Sequence, residues 1–402
     1  MSYDVSEVRA QFPALAEGAA HFDGPGGSQS PVAVADAVAG VLRSAVANRG
    51  SVTRAEQRAD EIVLAARQAT ADLVGGVPGG VVLGRSMTQL TYDLARALAK
   101  NWGPGDEVLV TRLDHDANIR PWVHAATAAG ASVHWAGFDR DSGVLSVEDV
   151  AAAITPRTRL VAVTAASNLL GSRPDVARIA AAARSVGALT YVDGVHLTAH
   201  DLVSVTELGA DFYVCSPYKF LGPHLGLLHA DPELLAHLHP DKLLPATDDV
   251  PERFELGTLP YESLAGTTAA IDFLAGLVPG AGTRRERLTV SLAALAEHEA
   301  GLLAQLDAGL AEIPGVRRLG DPDRVRTPTT LFTVDGVAPA QVHRELAEQN
   351  VNAPAGSFYA LECARWLGLG PEGAVRAGIA PYTDESDVER LVKGVTGIAT
   401  RR

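Results

Sequence analysis

Two residues of opposite charge stand 26 positions apart at the ends of neighbouring apolar runs: YVDG places Asp193 after one run, and FYVCSPYK places Lys219 just beyond the next. If both runs are strands of an open parallel sheet, their carboxyl ends face one crevice, where such sheets bind ligands. A lysine in that place can condense with an aldehyde to an imine. A carboxylate set against a pyridine nitrogen keeps the nitrogen protonated, so that the ring accepts electrons from a carbanion. An ordinary ion pair or a solvated loop lysine would give the same spacing. The chain has only four lysines, and the other three stand elsewhere: Lys100 ends an amphipathic helix, Lys242 lies in a polar DKLLP turn and Lys393 belongs to the last helix.

Other polar residues fall at matching places. In GRSMTQLTYDLARAL, Ser86, Met87 and Thr88 stand where a helix begins, a position suited to holding a phosphate with backbone donors and hydroxyls, and equally suited to a simple helix cap. His115 in RLDHDANI and His196 in DGVHLTAH follow successive strand ends, as does Asn168 in TAASNLLG. An imidazole can stack on a pyridine ring or bond to a phenolic oxygen, and an amide can donate to that oxygen. Each alone also reads as an ordinary loop residue; their joint placement is the signal.

The elements that must position these residues follow a βαβ rhythm. Strands are expected near Val108–Thr111, Ser132–Ala136, Leu160–Thr164, ALTYVDG and DFYVCS, with a helix from about Asn118 to Ala129 and another in PDVARIAAAARSVG that carries its proline in the first turn. Nearly continuous apolar strands between Ala-rich helices are what a parallel sheet buried on both faces requires, so the fold class is α/β. Past Pro260 the pattern shifts to long amphipathic helices and a short strand in TTLFTVDG, which reads as a smaller α+β domain. The expected division is an N-terminal segment 1–20 packing on the small domain, a large domain 21–260 and a small C-terminal domain 261–402.

The 402 residues are 47% apolar and 20% charged, the balance of a folded globular protein. A net charge of −14 argues against nucleic acid or an anionic membrane as partner. The opening residues lack a secretory pattern, no apolar run approaches membrane-spanning length, and two cysteines make no disulfide framework. The expected location is the cytoplasm. No G-x-G-x-x-G follows a strand, which argues against a nicotinamide dehydrogenase.

The stretches FDGPGGSQSP, LDHDANIRPW, VTAASNLLG, YVDGVH, DFYVCSPYKFLGPHLG, RFELGT and AVRAGIAPYTDESDVERL together resemble the class V aminotransferase family, and within it the cysteine-desulfurase-like branch. The resemblance covers nearly the whole chain in order. It implies a fold-type-I architecture with a mostly parallel seven-stranded sheet, pyridoxal 5'-phosphate as cofactor, a small amino acid as substrate, and a homodimer with its active site at the subunit interface. Lys219 then resembles the Schiff-base lysine, Asp193 the partner of the pyridine nitrogen and His115 the stacking histidine. Asn168 and His196 match positions near the phenolic oxygen. The phosphate cup maps onto Thr88 and Ser216, beside Ser86 and Met87, with Thr258 supplied by the neighbouring subunit. Arg376 in AVRAG matches the arginine that takes the substrate carboxylate, a bidentate task suited to a planar guanidinium.

The resemblance breaks at the loop before that arginine. A cysteine desulfurase carries a nucleophilic cysteine there, whereas PAGSFYALECARWLG puts Tyr359 in that place, as a substrate-facing residue. Cys363 falls in a helical stretch and Cys215 in a strand, and both are expected to be buried and unreactive. The reading is therefore a lyase that breaks a C–S bond of cysteine or a cysteine S-conjugate by β-elimination. Transamination, racemisation or epimerisation by the same site remains open, as does a catalytically silent scaffold or partner protein.

Overall fold

The computed structural model describes residues 3–401. Seven strands form the main sheet, in the spatial order Val81–Gly84, Gly226–Ala230, Phe212–Cys215, Leu189–Asp193, Thr158–Thr164, Glu107–Thr111 and Ser132–Ala136. All pairs are parallel except those made by Gly226–Ala230, which runs against both neighbours. The central strands are apolar without interruption because both faces are covered. Leu109, Val161, Val163 and Val192 point into one apolar layer, while Val108, Val110, Leu160 and Ala162 point into the other.

The chain adds strands outward through Glu107–Thr111 to the edge strand Ser132–Ala136. It then crosses back to lay Thr158–Thr164 on the other side of Glu107–Thr111. This reversal opens a crevice at the carboxyl ends of the strands, the place where such sheets bind ligands.

A second sheet of four antiparallel strands has the order Ala355–Gly356, Ala374–Gly378, Thr329–Val334, Val316–Leu319. It is packed under helices Arg284–Ala311 and Glu385–Ala399 through an apolar cluster of its own. The N-terminal segment is fastened here as well: Tyr3 donates to the Pro381 carbonyl, Arg9 pairs with Asp384 and Asp387, and Ala20–His21 runs parallel to Val351–Asn352. Helix Tyr261–Ala275 packs on helices Val32–Leu42 and Arg54–Val74.

One local expectation is corrected. The helix expected to start with proline in its first turn runs Val176–Ser185, with Pro174 outside it. Asp175 is the cap, and its carboxylate accepts from the Arg178 N–H at 3.1 Å, satisfying an end donor that proline at the start would have left to water.

Edge strand Val81–Gly84 is tied to the rest by a buried charge pair. Arg67 reaches both carboxylate oxygens of Glu255, at 2.9 and 3.0 Å, and Glu255 also accepts from the Leu83 N–H at 2.8 Å. Glu255→Ala is expected to lower unfolding stability by about 3–5 kcal/mol, because it leaves a buried guanidinium without its main partner. Urea unfolding of the variant against the parent measures this, and a loss under about 1 kcal/mol would contradict it.

Candidate active site

At the crevice lies a cavity of about 300 Å³. It gathers Met87, Thr88, His115, Asn168, Asp193, His196, Lys219, Tyr359 and Arg376, all expected from sequence.

Asp193 is the last residue of its strand, buried, with Oδ1 accepting from the Val195 N–H at 2.9 Å. Burial raises its pKa to about 6 even though Lys219 opposes the shift. Lys219 ends the single turn Pro217–Lys219 that follows strand Phe212–Cys215, and its Nζ donates to the Pro25 carbonyl. Burial first, and then Arg376, bring its pKa down to about 7, with Asp193 resisting. Each group is thus moved toward neutrality, the opposite of what a stabilised ion pair would produce. Lys219 Nζ bonds the Pro25 carbonyl and makes no close ion pair with Asp193, so the spacing does not encode a salt bridge.

His115 sits in a loop fixed from below by a buried carboxyl. Asp114 accepts from Asn118 Nδ2 at 2.7 Å and from the Thr111 hydroxyl, while Asn118 Oδ1 accepts from the Trp122 indole at 3.1 Å. His115 Nδ1 accepts from the Ala117 N–H at 3.0 Å. Burial, with Lys219 and Arg376 adding to it, lowers the His115 pKa to about 4, so the ring is neutral and carries its proton on Nε2. His196 is buried as well, with Nε2 at 3.1 Å from the Thr329 hydroxyl and a pKa pushed well down by burial.

Arg376 stands on a central strand of the second sheet and is 1% exposed. It donates to the Asn168 carbonyl at 2.9 Å, lies 3.8 Å from the centre of the Phe358 ring, and leaves its Nε without a partner. Among the described residues no carboxylate pairs with it. Burial lowers its pKa to about 9, which Asp23 partly offsets, so it remains a cation at neutral pH. Asn168 donates through Nδ2 to the Phe358 carbonyl at 3.0 Å, and its Oδ1 is buried and unpartnered, as is the Ser216 hydroxyl.

Three expected residues stand apart from the cavity lining. Ser86 is the cap of helix Met87–Ala99 and accepts from the Gln89 N–H at 3.1 Å, so its hydroxyl is already engaged by the helix end. Ser216 lies buried just behind the lysine turn. Thr258 is not part of the cavity lining and instead lines a separate pocket with Leu83 and Arg85.

Other residues of the site were missed from sequence. Pro25 and Gly26 form part of the wall, and Tyr218 sets its ring 4.8 Å from Lys219 Nζ and stacks on His224 at 4.6 Å. Phe358 was also missed. It and Tyr359 both have left-handed backbone, φ 53° and 57°, which costs about 1–3 kcal/mol for each such non-glycine residue. For Pro25 and Tyr218 the signal lay in the FDGPGG and SPYK stretches themselves; Phe358 had none beyond its neighbour.

The family described as aminotransferase class-V matches residues 20–391. The chain is 34% identical to the uncharacterized protein MT3887 of Mycobacterium tuberculosis, over 99% of this chain and 100% of that one. It is also 34% identical to a probable cysteine desulfurase of Pseudomonas aeruginosa, with 96% of each chain covered. The crystal structure of the cysteine desulfurase CsdA from Escherichia coli superposes with a TM-score of 0.87 at 28% identity, covering 100% of this chain and 99% of that one. The chain belongs to the class-V aminotransferase family, with the fold-type-I architecture of these enzymes, and is a pyridoxal-phosphate-dependent enzyme.

The residues present fit that cofactor. The cavity holds one lysine whose pKa is brought down to about 7, one carboxyl at a strand end and an unpartnered buried amide oxygen, and the buried Ser216 hydroxyl precedes the lysine turn. Because the neutral amine attacks an aldehyde and Lys219 titrates near 7, cofactor uptake by the apoprotein is expected to speed up as pH rises through about 7 and then level off. Stopped-flow absorbance after mixing with pyridoxal phosphate reads the rate. A rise centred near the ordinary lysine value of 10.5 would contradict it.

Proposed function

We propose that this enzyme cleaves the C–S bond of cysteine or a cysteine S-conjugate by β-elimination, yielding a thiol or sulfide with pyruvate and ammonia. The buried Arg376, with no carboxylate paired to it among the described residues and facing the same cavity as Lys219 and Asp193, carries the amino-acid part of this reading. The C–S part draws on the relatives named as cysteine desulfurases.

Bound pyridoxal phosphate supplies the electron sink for the pair released from the substrate's Cα–H bond. Lys219 would hold the cofactor covalently and, once displaced, take the Cα proton; an amine with a pKa near 7 is matched to that task at neutral pH. Asp193, whose carboxyl is destabilised by burial and has only one N–H donor, would face the pyridine nitrogen and share its proton. His115 would lie against the ring as a neutral imidazole. His196 and Asn168 would stand at the phenolic oxygen. Thr88 and Ser216, with Met87 and the capped start at Ser86, would hold the phosphate. Arg376 would receive the substrate carboxylate, with Tyr359 at the cavity mouth.

The choice of elimination over persulfide transfer rests on the thiols. Cys215 and Cys363 are the chain's two cysteines; both are buried and neither lines the cavity. Burial raises the Cys215 thiol to about 12 and raises Cys363 as well, so neither supplies a thiolate.

The assembly proposed is a homodimer in which Thr258 enters the partner's cavity, in keeping with its absence from the lining of its own. The division proposed keeps 1–20, 21–260 and 261–402 as its units, with helix Tyr261–Ala275 as the joint. Two free cysteines suit a cytoplasmic setting, and no helix among the described residues is long and apolar enough to cross a membrane.

Incubation with cysteine and a cysteine S-conjugate, with sulfide, thiol, pyruvate and alanine assayed together, tests the reaction. Pyruvate in step with thiol or sulfide is expected. Alanine with sulfide would mean persulfide chemistry, and neither product would contradict C–S cleavage. Lys219→Ala is expected to abolish turnover with the fold intact by circular dichroism, whereas Cys363→Ala keeps most of it. An active Lys219→Ala protein would overturn the mechanism.

A further inference from the structure

The turn at Phe358–Tyr359 is held in its left-handed conformation from several sides. Asn168 Nδ2 bonds the Phe358 carbonyl at 3.0 Å, the Asp116 N–H bonds the Tyr359 carbonyl at 2.7 Å, and the Ala360 N–H returns to the Ser357 carbonyl at 2.8 Å. Helix Leu361–Trp366, which follows, is anchored twice. Glu362 takes Arg120 and lies 3.6 Å from Arg112 and 3.4 Å from Arg365. Trp366 donates to the Phe138 carbonyl at 2.7 Å, with Arg112 and Arg140 set over its ring at 4.8 and 4.6 Å. A strained turn persists where its surroundings over-determine it, and such strain gathers where a group must be held in one place.

The group held here is the Phe358 ring, 3.8 Å from the guanidinium carbon of Arg376. One edge of that guanidinium is occupied by the Asn168 carbonyl, and Nε has no partner. Among the described residues no carboxylate hydrogen-bonds this guanidinium, so the Asn168 carbonyl and the ring it stacks on are left to set its plane. We infer that Phe358 is a positioning residue for substrate binding: its ring face fixes the plane of Arg376 and excludes water from one side of it, so that the free edge meets the substrate carboxylate. The inference rests on the reading of Arg376 as the carboxylate receptor. Tyr359 and the anchored helix act as the frame for that ring.

The test is an absorbance titration of the cofactor-loaded enzyme with L-alanine and, in parallel, with ethylamine, which has the amine but no carboxylate. Phe358→Leu keeps the apolar bulk and removes the ring face, whereas Phe358→Tyr keeps the face. Phe358→Met is measured beside them so that poor folding of one variant does not decide the outcome, with the cofactor band and melting temperature as controls. Phe358→Leu and Phe358→Met are expected to bind alanine about tenfold more weakly, Phe358→Tyr as the parent does, and ethylamine equally in all. Unchanged alanine affinity in the Leu and Met variants would overturn the inference, as would equal losses for alanine and ethylamine. Arg376→Leu separates this from the underlying reading. If it binds alanine as well as the parent, the arginine is not the receptor; if it weakens alanine while the Phe358 variants do not, only the role of Phe358 falls.

Discussion

Desolvation is the constraint on which the site depends. Lys219, Asp193 and Arg376 are drawn into one cavity at the meeting of the two sheets, where burial outweighs the attraction between Lys219 and Asp193 and Arg376 adds its repulsion of Lys219. The three groups respond differently because their chemistry differs. Lysine has a pKa that burial can bring near neutrality, where an amine is suited to act as nucleophile and base, whereas arginine starts so high that it stays a cation even after the same treatment. Asp193, raised only to about 6, stays largely a carboxylate at neutral pH, but one destabilised by burial. A site so arranged is poised for an electron-accepting aldehyde at its centre and a carboxylate at its rim.

The folding chain brings these groups together at long range. Asp193 and Lys219 come from neighbouring strand ends of the large sheet, while Arg376 comes from the second sheet and is joined to the first by its bond to the Asn168 carbonyl, 208 positions away in the chain. This explains which parts were legible in the sequence. Strands buried on both faces announce themselves as apolar runs, so the strands through Val108–Thr111 and Leu160–Thr164 and the ends at Asp193 and Lys219 stood where the pattern put them. The rarity of lysine singled out Lys219, and ordered motif stretches identified the family.

What was not legible has a common physical cause. Ser86 by type and place suits a phosphate and a helix cap alike, and the structure shows that its Oγ caps the helix, which the sequence did not decide. Asp175 displaced proline from the start of its helix in the same way. Phe358 carries no local mark at all. Its role arises only when a loop, a strand and the Asn168 turn converge, and no spacing in the sequence encodes that meeting. The tyrosine at 359 was legible as a departure, and the burial of both cysteines gives the departure a chemical meaning: sulfur leaving the substrate has no protein thiol waiting for it in the cavity.

The most direct measurement is borohydride reduction of the cofactor-loaded enzyme followed by peptide mass spectrometry. The account requires the phosphopyridoxyl group on Lys219 alone among the chain's four lysines. Attachment at Lys100, Lys242 or Lys393 instead, or no covalent attachment in a protein that holds the cofactor, would contradict it.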